Sequence, residues 1–308
     1  MKKETVTSQA LRGLSVLVKY FVSATLWQVL NPLGIAQTLM QIGGQLIAQV
    51  RWLLKGGVVQ PVPMTLPFNG EWQVFNGGID KATSHSWGLV AQRYAYDFLI
   101  SKPDGINHTG EGKRPQNFLC WGKDILAPAD GLVISARNDV RDSPHIGGWI
   151  DVATPDIRGN YIVIRHAAHV FSLCGHLQQE SVVLKPGDVV QQGQAIGRCG
   201  NSGHSTEPHL HFQVQDHPNF YLAVGLPVVF QNVELRNPSD KTSETITQGY
   251  IHKGRTVTPL PSTAAGTTLT QFVQPQLSWV DPLITLITAA LVLMGLLSIF
   301  RRIIDLVG

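Results

Sequence analysis

The chain has 308 residues, 44% of them hydrophobic, which is enough for one good-sized globular domain plus further segments. Its formal net charge of +3 is spread along the chain without a long basic run, so composition gives nucleic-acid binding no support. Three cysteines, Cys120, Cys174 and Cys199, are too few and too irregularly spaced for a disulfide framework or a zinc knuckle. One bridge, for example Cys174 to Cys199, stays open in an oxidising compartment, and a buried free thiol is expected for at least one of the three.

The first sixty residues form an apolar, membrane-associated segment. No charge occurs between Lys19 and Arg51, long enough to span a bilayer, but Asn31-Pro32 interrupts the run and Gln28, Gln37, Gln41, Gln45 and Gln49 recur at near-helical spacing. A kinked span, a membrane hairpin and amphipathic helices lying in the interface all fit. From 61 to 237 the texture changes to short β-rich runs set between Gly and Pro. Examples are Asp130 to Ala136, Asn160 to His166 and Ser181 to Leu184, followed by a strand-turn-strand repeat over Lys185 to Gly197. This pattern predicts a mostly β domain, a compact β-sandwich or barrel-sandwich, flanked by membrane-associated helical segments.

Residues 238–276 are rich in Ser, Thr, Pro and Gly and read as a linker. Over 277–308, no charge separates Asp281 from Arg301, with Trp279 on one flank and Arg301 and Arg302 on the other, the pattern of a transmembrane helix with a basic tail. Lys2, Lys3 and Arg12 at one end and the arginine pair at the other put both termini in the cytoplasm. The domain between them is then periplasmic or extracellular.

The most telling stretch runs from Gly200-Asn201-Ser202-Gly203 to Pro208-His209-Leu210-His211-Phe212. On a strand from Pro208 to Val214, side chains two apart share a face, so His209 and His211 project together. Paired imidazoles suit a metal ion far better than a dry core. Other histidines lack such a pattern; His166 and His169, three apart, do not share a strand face and read as structural.

With Gly122-Lys123-Asp124-Ile125-Leu126-Ala127-Pro128-Ala129-Asp130-Gly131 and Gly175-His176-Leu177 upstream, in that order, the middle of the chain resembles the catalytic domain of the lysostaphin-type zinc metallopeptidases, many of which cut peptide cross-links of bacterial cell walls. The resemblance implies a Zn²⁺-dependent endopeptidase acting on peptidoglycan or another peptide substrate, which the apolar terminal segments would anchor to the membrane. It also implies metal ligands at an early His, an Asp four residues later, and the second His of His-x-His. Asp97 and His211 match the last two. Arg93 stands where the early His belongs, and a guanidinium has no lone pair to offer. His85 is the nearest upstream candidate, able to reach the site if Ser86 to Ala91 form a loop. The other reading is that the metal site is lost and the chain is an inactive relative that regulates or binds cell-wall hydrolases. By the same resemblance His209 takes or orients the proton of an attacking water and His176 hydrogen-bonds the oxyanion.

Overall fold

The computed structural model describes residues 30–54, 61–238 and 242–261, with isolated positions between 15 and 22 and at 267–268. These residues are mostly β, with one long helix, α1 (Pro32–Leu54). The strands in chain order are β1 (Val62–Met64), β2 (Trp72–Asn76), β3 (Tyr96–Leu99), β4 (Asp124–Leu126), β5 (Gly131–Arg137), β6 (Asn160–Ala167), β7 (Val170–Leu177) and β8 (Val189–Val190). There follow β9 (Ala195–Arg198), β10 (Leu210–Gln215), β11 (Gly225–Leu226), β12 (Val228–Arg236), β13 (Ser243–Gly249), β14 (Thr256–Pro259) and β15 (Thr267–Thr268). The main sheet runs β15-β13-β12-β14-β2-β3-β10-β7-β6-β5-β8, with β1 added beside β12 and β11 beside β10; β4 and β9 pair separately.

Alternation along the central strands separates core from site. On β3, Tyr96 and Phe98 are fully buried; on β10, Leu210, Phe212 and Val214 are too. Phe98 packs edge-on against Phe68 at 5.0 Å, and Tyr96 against Phe230 at 5.1 Å between ring centroids. Each such side chain contributes ~1.5–3 kcal/mol when fully removed from water. The intervening residues, Asp97 on β3 and His211 and Gln213 on β10, therefore share the other face.

Several expectations change. Ser181 to Leu184 is not a strand: the Val182 amide donates to the Asn138 side chain rather than to a strand, and Val183 is 84% exposed. The expected strand-turn-strand repeat is a turn whose two arms part company, β8 joining β5 and β9 joining β4. Part of the expected linker belongs to the sheet, because β13 and β14 both pair with β12 and Ile246 and Val257 are buried. Three β-branched residues in a row, Thr245-Ile246-Thr247, suit a pleated surface, which the polar composition of Ser243–Gly249 disguised. All three cysteines are buried and free.

Asn31-Pro32 marks the start of helix α1, with a bend at Asn31 separating it from helical Leu30. The Asn31 side chain accepts from the Leu33 amide at 3.0 Å, and Pro32 takes the first helical position, where an amide would be unsatisfied anyway. Helix α1 lies against the β domain through its polar side: Gln37 donates to the Thr154 carbonyl, and Arg51 pairs with Asp216 at 2.9 Å. Among the described residues no helix is long and apolar enough to cross a membrane. The span expected over 277–308 lies outside the described residues.

Candidate metal centre

Strand register builds the first half of the site. His211 on β10 stands directly across from Asp97 on β3 and, on its other side, from Gly175 on β7, next to His176. His211 Nδ1 lies 3.2 Å from Asp97 Oδ1, and His209 Nε2 lies 3.6 Å from the same oxygen. His209 itself just precedes β10, whose first residue is Leu210, yet its ring reaches the same face.

The second half comes from a loop. His85 leaves the irregular segment between β2 and β3 and brings its Nδ1 to 3.5 Å from Asp97 Oδ2. One ligand atom from each of His85, Asp97 and His211 lies within 4.8 Å of the others. Arg93 is elsewhere. Its guanidinium sits 4.9 Å from the Trp52 ring of α1 and 5.1 Å from the Trp87 ring, and its Nε donates to the Trp87 carbonyl. It neither pairs with Asp97 nor fills a ligand position; it joins the helix to the loop that carries His85.

Hydrogen-bond partners on the far side of each ring decide which nitrogen faces the site. His176 Nδ1 donates to the Ser202 carbonyl at 2.8 Å, and His209 Nδ1 donates to the Glu207 carbonyl at 2.8 Å. With Nδ1 donating in each ring, the other nitrogen, Nε2, is the one left to face the site. His211 Nε2 donates to Gln213 Oε1 at 2.9 Å, since the Gln213 amide nitrogen is itself engaged with the Gln215 side chain and the Ala91 carbonyl. That leaves His211 Nδ1 facing the Asp97 carboxylate, to which it donates when the ring is protonated and toward which it offers a lone pair when it is not. Asn76 donates to Asp97 Oδ2 at 3.1 Å and is held by Lys253 at 3.0 Å. Lone pairs gathered so closely repel unless a proton or a cation lies among them. Two imidazoles and a carboxylate are a donor set that suits zinc, with outer partners orienting the rings.

Titration follows the same logic. Burial lowers His85, although Asp97 opposes it, and its ring is still 30% exposed. Burial, then His209 and His211, hold His176 well below the usual imidazole range, so it stays neutral. For Asp97 burial favours the neutral acid, but His85, His209 and His211 outweigh it and hold the carboxyl well below its ordinary value. Burial likewise opposes the charge on His211, yet Asp97 raises it above 6.5. The expected oxyanion role of His176 meets an obstacle here: its neutral tautomer offers a lone pair, not a proton, to the cleft.

The Gly-Asn-Ser-Gly loop explains this tautomer. Gly203 has φ of +80° and runs against the backbone of Gly159, where a side chain has no room; a Cβ at Gly200 would strike the Gln178 backbone. Packed this closely, Ser202 presents its carbonyl to His176 while its hydroxyl donates to the Leu177 carbonyl and accepts from the Asn160 amide. His176 is held at φ +57°, an unusual conformation for a residue with a side chain, by its amide bond to the Arg158 carbonyl and by the Gly200 amide on its own carbonyl.

Gln213 and Asn76 were not singled out from sequence. Extending the His-x-His alternation by two residues in His209-Leu210-His211-Phe212-Gln213 would have found Gln213. Asn76 had no signal, because only pairing of β2 with β3 sets it opposite Asp97.

The mostly β domain thus brings histidines and an aspartate together on one face, in an arrangement that could hold a metal ion. Residues 118–221 match the model of peptidase family M23, and the chain carries a domain of that family. The match includes His176, His209 and His211 but begins after His85 and Asp97. Peptidoglycan DD-endopeptidase ShyC of Vibrio cholerae is 46% identical over 92 residues, 30% of this chain and 19% of the relative. Its ShyA counterpart from the same organism is 32% identical over 93 residues, 30% of this chain and 17% of the relative. Lysostaphin of Staphylococcus simulans is 38% identical over 88 residues, 29% of this chain and 15% of the relative. The chain thus spans less than a quarter of the length of these curated relatives.

Proposed function

We propose that this chain is a zinc-dependent endopeptidase that hydrolyses peptide cross-links of peptidoglycan. In this reading it is tethered by the uncharged stretch Pro282 to Phe300, with the peptidase domain on the periplasmic or extracellular side. The observation that carries the hydrolase reading is the convergence of lone pairs from His85, Asp97 and His211 on one point. These three would hold the zinc. Bound there, zinc supplies Lewis acidity that polarises a scissile carbonyl and makes water a stronger acid.

The chain's own residues do the rest. His209 Nε2, the ring nitrogen left to face the site beside Asp97, takes a proton from the attacking water and later returns it to the leaving amine. His176 Nε2, with its ring centroid 4.8 Å from that of His209, orients the same water by accepting its second hydrogen; donation to an oxyanion would require the protonated ring, which burial opposes. Relatives that carry the name peptidoglycan endopeptidase support the substrate class.

The test is elemental analysis of the purified full chain together with mass spectrometry of fragments released from isolated peptidoglycan. Stoichiometric zinc and newly freed amino groups at cross-links are expected. A chain without zinc that leaves the polymer intact would overturn the enzyme reading and leave a binding or regulatory relative.

A further inference from the structure

Helix α1 is amphipathic in the reverse of the usual sense. Its polar residues face the protein: the Gln45 side chain accepts from the Val90 amide and donates to the Gly88 carbonyl, while Gln37 and Arg51 bond to other parts of the domain. Of its apolar residues Ala48 and Trp52 join the core, while the aliphatic side chains of the opposite side face outward. Leu33, Met40, Leu46, Ile47, Val50 and Leu53 are all exposed, and the one charged residue of the helix, Arg51, lies at the edge of this face and turns to Asp216. At 100° per residue this outward face covers an arc of about 160° and runs about 30 Å along the axis. A soluble helix normally turns such a face to the core.

From this we infer that the outward face of α1 docks into the interfacial layer of a lipid bilayer, with the helix axis in the membrane plane and the peptidase domain seated on its polar side. The arc is wider than the ~100° stripe that packing against a neighbouring element requires. It continues an uncharged run that begins at Tyr20, and a second uncharged run, Pro282 to Phe300, lies in the chain beyond the described strands. Two bilayer-compatible segments from opposite ends of the sequence put the domain beside lipid, and a broad, uncharged, laterally extended face fits a bilayer surface. The inference rests on the membrane tether proposed above and adds which surface of the domain meets the lipid. Because Gln45 and the Arg93–Trp52 contact join α1 to the loop carrying His85, docking would also set the orientation of the site relative to the membrane.

The test places nitroxide labels on the full chain at Leu46→Cys and Leu53→Cys, with Val183→Cys as the aqueous reference; the native cysteines are buried. The proteins are reconstituted in vesicles of phosphatidylethanolamine and phosphatidylglycerol, and collisions with oxygen and with a water-soluble nickel chelate are compared. Docking predicts loss of nickel collisions with retained oxygen collisions at 46 and 53, while 183 stays open to nickel. Labels at 46 and 53 open to nickel on a chain that floats with the vesicles would overturn docking and leave the tether standing. Labels shielded from both reagents would show that protein covers the face, either the 282–300 segment or a second copy, and would equally overturn it. A chain that fails to float would remove tether and docking together.

Discussion

The two ways in which the candidate ligands reach one point differ in kind. Asp97 and His211 sit opposite each other on adjacent strands, so the ladder of β3 and β10 sets their distance and the aromatic residues between them fill the core. His85 arrives on an irregular loop with no ladder of its own. Its support is second-hand: Gln45 of α1 grips Gly88 and Val90, and Arg93 lies between Trp52 and Trp87. A sheet can hold a ligand by register alone, whereas a loop needs packing partners brought from elsewhere in the chain.

The largest effect is expected at the strand pair. His211→Ala should remove stoichiometric zinc and lower peptidoglycan hydrolysis by more than ~10³-fold; a variant that kept its zinc by elemental analysis would mean the strands do not carry the ligands. His85→Ala should also lose zinc, but without altering the melting temperature of the metal-free protein, since a ring on a half-open loop contributes little to the core. Unchanged zinc content and turnover in that variant would reduce the loop to a bystander. Gln213→Leu comes next. It leaves the ring in place but removes the acceptor that fixes its tautomer, and such outer partners are worth about 10–100-fold in metal affinity. Competition with a chelator would read this directly.

The same contrast decides what could be read from sequence. Period-two spacing exposes His209 and His211, and the glycines at 200 and 203 mark a loop that must pass close to other backbone. Both are local signals. Asp97 followed only from resemblance, and His85 only by elimination after Arg93 proved chemically unfit to ligate. Arg93 itself was legible as a non-ligand but not as a clamp, because Trp52 lies far away in the chain and the meeting depends on α1 turning its polar side inward. The sheet's extent was underestimated for a related reason. Ser243–Gly249 has the composition of a linker, and only the free edge of β12 makes it a strand.

Arg93→Met sharpens the comparison by loosening the loop while leaving the strands untouched. Two stacked aromatic faces at a buried guanidinium are worth about 1–3 kcal/mol, so the variant should melt earlier. Its zinc affinity should fall less than that of Gln213→Leu, since the strand-borne pair is intact. Equal losses in Gln213→Leu and Arg93→Met would argue that loop and ladder are one rigid unit.

The smallest effect is a pH dependence whose sign the two strand-borne groups determine together. Asp97 is held well below 3.8, so its contribution to the metal-free fold is present above that value and lost as pH falls through its folded pKa. His211 is raised above 6.5, so its contribution is present below 6.5 and lost as pH rises through its folded value. Metal-free protein should therefore gain most from this pair between the two limits and soften slightly as pH rises through the folded pKa of His211. Zinc acts in the opposite sense, because it must displace the His211 proton from Nδ1. The stabilisation added by zinc should grow with pH over the range where the metal-free protein softens. Calorimetry in buffers of different ionisation enthalpy should detect the released proton. If zinc binds without proton release near pH 6.5, Nδ1 of His211 was not the atom holding that proton, and the assignment of its lone pair to the metal fails.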